Sequence, residues 1–559
     1  MTVLAVVGCG PRGLNLLERL VSRWRTGTVH VIEPNELGSG LHRPDQPDYL
    51  LLNTVAAQLT AFVDPQMVQG GGVRGPSLYE WLTARGVKVA SNTGELAPVR
   101  ESDYLPRALL GQYLEWAAQQ ILAVAPAGLE ILHHRATALS VTRVDGRENI
   151  RLSDGTSLHA DHVVLTVGHT GVPAPAAPDP AADPRRWIAT PYPLPDAVGT
   201  VPPGATVGLL GAGLTATDLL AALTVGRGGR YEPAPGGLRY LPSGAEPHIV
   251  LSNRFGVPPR ARPRAYDRTS PLPTAFLDRE TIDGLRRLTT DGRLDFAQDV
   301  LPLFVAEARY RYRAMGGEGE LDVLSNGVPE PALTNHQEYA AWCRAAVRED
   351  LAEAQRGLDS SPAKNALEVF RDYRELLRDI VGAPGLSADS LADFFGRITA
   401  LSNRTVTGPH LERHEELLAL IEAEVVRFGP GPDPSATWDE NRHEWVIAST
   451  RLRTAAQLRS DYLVAAYSRS PTAQSSSNPV LVSLAGENRL RSMWAGGLEL
   501  GIMVDSDDHL INGIGEVESS ISAFGPTTEG SSYYNHYITS PGLPMRVLAA
   551  MDRVVTMLA

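Results

Sequence analysis

The chain has 559 residues, 43% hydrophobic and 21% charged, enough for two or three domains that each bury a core. Its 51 basic and 64 acidic side chains leave a formal net charge of −13, which argues against general affinity for nucleic acid or an anionic membrane. Two distant cysteines, Cys9 and Cys343, give neither a CxxC redox pair nor a thiolate metal site, and no metal is expected. The first strand begins near residue 3 and no apolar run reaches the roughly 18 residues of a membrane span. A cytoplasmic location is therefore expected.

The first segment reads "VLAVVGCGPRGLNLLERL". Gly8, Gly10 and Gly13 have GxGxxG spacing between a β-branched strand and an amphipathic helix. A pyrophosphate in such a turn meets unpaired amides and the positive end of the helix dipole. The next strand, "TVHVIEP", ends in Glu33, about 20 residues on, where a carboxylate suits the hydroxyls of an adenosine ribose. Cys9 inside the turn reads as a small filler.

A glycine and proline loop containing His42 and Arg43 leads to the apolar segment around Asn53. "YLPRALLGQYLEWAAQQIL" has helical spacing, with Pro106 at its start. "LEILHHRATALSVTRV" and "ENIRLSDGTSLHADHVVLTVG" read as a meander of strands, with Asp154 and Gly155 in a hairpin turn. After the linker "PAPAAPDPAADPRRW" comes a second glycine string, "VGLLGAGLTATDLL", with Gly211, Gly213 and Ala216 in a GxGxxA variant. Its next strand, "PHIVLSNR", ends in Ser252, Asn253 and Arg254 instead of an acid. A small polar group followed by a guanidinium suits the 2′-phosphate of NADPH. Arg260, Arg262 and Arg264 follow closely; a substrate carboxylate, the NADPH phosphates or nothing could engage them, and their closeness to Arg254 favours the NADPH phosphates.

Residues 276–425 are mainly helical in pattern, strands resume at "HEWVIASTRLR" and "SDYLVAAYS", and "ISAFGPTTEG" is a late strand followed by a glycine loop. The predicted fold is α/β with two Rossmann-like dinucleotide-binding domains. FAD is held by residues 1–175 plus 480–559, NADPH by 195–275 plus 426–479, and 276–425 is a helical insertion over the site or at a homo-oligomer contact.

With "GCGPRGLNLLERL", "LLLNTVAAQLTAF", "LRYLPSGAEPHIVLSNRFGVP" and "FGPTTEG" in place, the chain resembles FAD/NAD(P)-binding proteins related to class B flavin monooxygenases. Within that group it is similar to N-oxygenases of small amino acids, notably those converting aspartate to nitrosuccinate. The resemblance implies FAD contacts at Gly8, Gly10, Arg12, Gly13 and Glu33, with Asn53 reaching the flavin ring as the catalytic contact. It adds Arg107 and the amides around Thr528 and Glu529, and offers His42 and Arg43 for a substrate carboxylate. On the residues alone, Asn53 could instead cap a helix, and Arg107 could pair with Glu101 or Asp103. The implied activity is NADPH- and O₂-dependent N-hydroxylation of a small amino acid through a flavin C4a-hydroperoxide. An NADPH oxidoreductase passing electrons to a protein or quinone, and a carbon-oxygenating enzyme of the Baeyer–Villiger type, are the alternatives.

Overall fold

In the computed structural model, residues 2–64, 68, 71–263, 274–324, 327–468, 476–543 and 546–558 are described. A strand covered on both faces needs a continuous apolar run, and "VLAVV" supplies it in β1 (Val3–Val7). It leads through the glycine turn into α1 (Pro11–Arg23) and then β2 (Thr26–Ile32). The six-stranded sheet runs in the order His509–Ile511, Val517–Ala523, His162–Leu165, β1, β2, Gly128–His134. Its neighbours are parallel except the first pair. Val517–Ala523 lies directly against His162–Leu165, so the end of the chain completes a sheet begun at its start. Leu14, Leu17 and Leu20 of α1 share one core with Leu114, Ile121 and Met551.

Ala138–Val144, Arg147–Leu152 and Ser157–Ala160 form the antiparallel meander. Gly155 takes φ +89 in its last turn, as the hairpin there requires. The preceding strand is a correction: Gly128–His134 does not join the meander but runs parallel to β2 from Thr26↔Gly128 to Ile32↔His134. The helix Arg107–Ala123 just before it supplies the crossover a parallel neighbour needs.

The second sheet is wholly parallel, in the order Trp187–Ile188, Tyr462–Ala465, Thr206–Leu210, His248–Ser252, Val426–Phe428. The helices between its last two strands divide between two cores. Tyr339, Cys343 and Leu417 pack with Val207 and Ile249 of this sheet. Phe296, Phe304, Phe370 and Phe394 instead gather with Ala495, Leu500 and Tyr533 of the C-terminal stretch. That second core carries helical arginines to the edge of the first glycine turn. Among the described residues, no helix is long and apolar enough to cross a membrane.

Candidate active site

In the first glycine turn, three pieces of backbone meet. Gly8 takes φ +87, and a Cβ on it would stand 2.7 Å from the Thr166 carbonyl oxygen. A Cβ on Gly13 would lie 2.6 Å from the Gly8 carbonyl oxygen, and Gly10 faces the backbone of Gly40. Glu33, only 8% exposed, accepts the Cys9 amide at 3.0 Å and the Asn35 amide at 3.1 Å. Burial pushes the Cys9 thiol up, consistent with a filler and not a nucleophile.

Arg12, in the first turn of α1, lies over the Tyr537 ring at 4.3 Å and donates to the Asn535 carbonyl at 3.1 Å. Beside it runs the turn Pro526–Thr528, where a Cβ on Gly525 would sit 3.6 Å from Arg12 Cγ. The amides of Thr528 and Glu529 donate within that turn, to Gly525 and Pro526, so they are not the open donors the resemblance implies. Glu529 contributes its carboxylate instead, accepting the amides of Tyr534 at 2.8 Å and Asn535 at 3.2 Å.

Asn53 stands on the strand Leu51–Val55. Its Nδ2 lies 3.4 Å from the Thr407 carbonyl, and its backbone carbonyl accepts from Arg262. It caps no helix; Val55 precedes the short helix that follows. Among the described residues, Arg12 Nη1, Asn53 Oδ1, Thr527 Oγ1 and His42 Nδ1 are buried without a hydrogen-bond partner. Such groups are paired in a native protein by something, and a glycine cradle with Arg12 beside it fits a flavin dinucleotide.

The second turn repeats the spacing. Gly211 takes φ +134, and a Cβ there would stand 2.2 Å from the Ala466 carbonyl oxygen, whereas a Cβ on Gly213 would meet open space. Ala216 packs into the core. Ser252 is 2% exposed and faces Gly429 inside the sheet, so the open end of the strand belongs to Arg254. That exposed guanidinium lies 4.7 Å from the Phe255 ring, with Arg404 at 4.1 Å from the same ring. Burial, together with Arg260 and Arg254, holds Arg404 down to about 10. Three crowded guanidinium groups can hold a phosphate. Arg264 lies outside the described residues.

Arg107 pairs with neither Glu101 nor Asp103. It meets Asp218 of the helix Leu214–Leu223 at 2.6 Å and donates to the Leu51 carbonyl at 3.0 Å, while Tyr192 donates to the same carboxylate at 2.5 Å. The ion pair bridges the two nucleotide units at a narrow cleft lined by Asn53, Thr217 and His410. Arg43 is also corrected: it is an exposed side chain paired with Asp45 at 3.0 Å. His42 separates from it, and burial and Arg107 lower its basicity to about 4.

A row of arginines was not anticipated. Arg371, Arg374 and Arg378 come from two consecutive short helices, Val369–Asp372 and Arg374–Val381, and continue a line from Arg262 to Arg12. Burial and Arg371 hold Arg262 down to about 10. Burial also lowers Arg374, aided by Arg371 and Arg378, and lowers Arg12, aided by Arg378. Arg374 lies 4.4 Å from the Tyr534 ring, and Arg378 lies 4.5 Å from the Tyr537 ring. Arg371 pairs with Glu368 at 2.9 Å. The available signal was an arginine every third or fourth position in "FRDYRELLRD", a charged stripe on a helical run whose neighbours are apolar.

Two mainly parallel sheets, each with a glycine turn leading from a central strand into a helix, define a two-dinucleotide flavoprotein. A family model described as FAD-NAD(P)-binding matches residues 5–170. The chain is 32% identical to the nitrosuccinic acid synthase of Aspergillus oryzae, over 99% of this chain and 92% of that one. It is also 32% identical to the nitrosuccinate-forming L-aspartate N-monooxygenase of Streptomyces cremeus, over 96% and 91%. The ornithine N-hydroxylase of Kutzneria sp. 744 shares the fold with a TM-score of 0.51 at 13% identity, covering 100% of this chain and 98% of that one. The chain belongs to the family of these two relatives, the N-oxygenating monooxygenases, and carries an FAD-NAD(P)-binding unit.

Proposed function

We propose that the protein oxidises the amino group of L-aspartate towards nitrosuccinate, using NADPH and O₂. The observation that carries this reading is the row Arg262, Arg371 and Arg374 beside Asn53. Desolvated guanidinium groups that repel one another need an anion among them. Glu368 pairs with Arg371 and also acts on Arg262; a substrate with two carboxylates completes the balance at Arg262 and Arg374. Each arginine fork binds a carboxylate through two donors, fixing the substrate by its two acidic ends and leaving its nitrogen to face inward.

We assign the first seat to FAD, with Glu33 on its ribose, Arg12 on its phosphates and Asn53 towards its ring. Bound there, the flavin supplies the oxygen-activating chemistry. The second seat goes to NADPH, with Arg254 on its 2′-phosphate. Arg107 and Asp218 hold the two seats together, and the surrounding protein excludes water from the reacting nitrogen. Domain limits at 1–175 plus 480–559 and at 195–275 plus 426–479 follow from this assignment. Both cysteines are buried free thiols, which accords with a reducing cytoplasm.

The test is product analysis with FAD-loaded protein, NADPH and O₂ against L-aspartate, L-asparagine, L-glutamate and L-ornithine. Nitrosuccinate from L-aspartate, with NADPH use rising only for that substrate, is expected. Equal NADPH oxidation to peroxide with every amine would favour electron transfer, and oxygen inserted at carbon would favour a Baeyer–Villiger type.

A further inference from the structure

Histidines occupy the space between the arginine row and the Arg107 bridge, and the reading above leaves them without a task. The rings of His169 and His536 stack at 5.1 Å with 16° between their planes, and His536 Nδ1 lies 3.4 Å from His169 Nε2. His536 Nε2 is 3.8 Å from Glu529 Oε2. The same ring meets Tyr534 edge-on at 6.3 Å, and Tyr534 lies under Arg374. In the other direction, the charge of His169 reaches His42, beside Arg107. A line of titratable rings therefore leads from the arginine row towards the junction of the two units.

His169 and His536 keep open surface, yet burial is the main cause that lowers the basicity of each. His169 and Arg12 add to the effect on His536, bringing it to about 3. Burial pushes the Glu529 carboxyl up to about 7, opposed by the amides of Tyr534 and Asn535 and by Arg378.

An amino acid arrives as an ammonium ion whose nitrogen has no lone pair to offer, so N-oxygenation requires that a proton leave first. Guanidinium groups cannot take it, whereas a neutral imidazole can. Arg12, at the end of the arginine row, is the guanidinium that weakens His536, and a carboxylate seated near it would offset that field and raise the ring's basicity as the ammonium group arrives.

Resting on the amino-acid reading above, we infer that His536 and His169 form a proton relay serving the substrate's ammonium group. The N–H bond breaks, its electron pair stays on nitrogen, and the proton bonds to an imidazole nitrogen of His536. It then passes to His169 and out to solvent; no electrons change hands. Glu529 is the positioning residue. Its carboxylate holds the amides of Tyr534 and Asn535, fixing Tyr534 at φ +56, a left-handed conformation that a bulky residue keeps only when its surroundings impose it.

Calorimetry of L-aspartate binding to the FAD-loaded protein with NADP⁺ at pH 7, in buffers of different ionisation enthalpy, counts the protons released. The wild type is expected to release about one proton per molecule bound, because the free amine is protonated at that pH. His536→Gln and His169→Gln are expected to bind L-aspartate with the same equilibrium proton count, because a relay changes the rate of proton transfer and not its end state. Their kcat/KM at pH 7 should fall about a hundredfold and recover at alkaline pH, where the amine is already neutral. Glu529→Gln should shift the pH profile less. A kcat/KM at pH 7 and a pH profile unchanged in both histidine variants would overturn the relay. Failure of the wild type to bind L-aspartate would instead overturn the substrate reading, a separate result.

Discussion

The two glycine turns share a spacing but not a setting. Backbone presses on every glycine of the first, from Thr166, Gly8 and Gly40, whereas in the second only Gly211 is pressed and Gly213 faces open space. The carboxylate at the end of the following strand is buried in the first unit, and the guanidinium in the corresponding place is exposed in the second. The motif sets the backbone path, and the surroundings decide whether a ligand is enclosed or visits. We read the first seat as retaining its cofactor and the second as exchanging it.

The sharpest way to break this contrast is Gly8→Ala. A side chain there meets the Thr166 carbonyl and a positive φ, at a cost of about 1–3 kcal/mol. Purified protein should lose its bound FAD, measured by its absorbance. Next in size, Arg254→Ala should raise the KM for NADPH about tenfold or more, from one lost charge-assisted contact, and leave that for NADH nearly unchanged; an equal rise for both would remove the phosphate role. Gly213→Ala should be milder still. Nothing stands within 4 Å of the new Cβ, so stability should stay within about 0.5 kcal/mol and FAD content should be normal, with any effect confined to NADPH.

A separate effect is a pH signature near the first seat. Glu529 is pushed up to about 7 from 4.5 by burial. The folded state thus holds a proton that the unfolded state gives up between those values. Stability must fall as pH rises from about 4.5 to about 7 and level off above. Thermal unfolding of the FAD-free protein should follow that slope, and Glu529→Gln should flatten it.

Both dinucleotide turns were legible in the sequence because their determinants are local: glycines two and three residues apart, a strand before, a helix after, and a charge at the next strand end. Pairing of Arg107 with Glu101 or Asp103 does not occur because its partner, Asp218, lies on a helix of the other unit, beyond the reach of spacing. Arg43 was offered to a substrate because it sits next to His42, but an acid two residues away takes it to the surface. Gly128–His134 looked like one more meander strand because alternation cannot tell a parallel edge strand from a hairpin strand. Arg371, Arg374 and Arg378 read as ordinary helix charges, and only the packing of their helices against Tyr533 and its neighbours brings them towards the first turn.

The central claim is that the arginine row receives the substrate's carboxylates, and Arg374→Gln tests it most directly. Titration of the FAD-loaded variant should show L-aspartate binding weakened by about 1.5–3 kcal/mol, the worth of a hydrogen bond to a charged group, with NADP⁺ affinity unchanged. L-aspartate binding as tight as in the wild type would contradict the account.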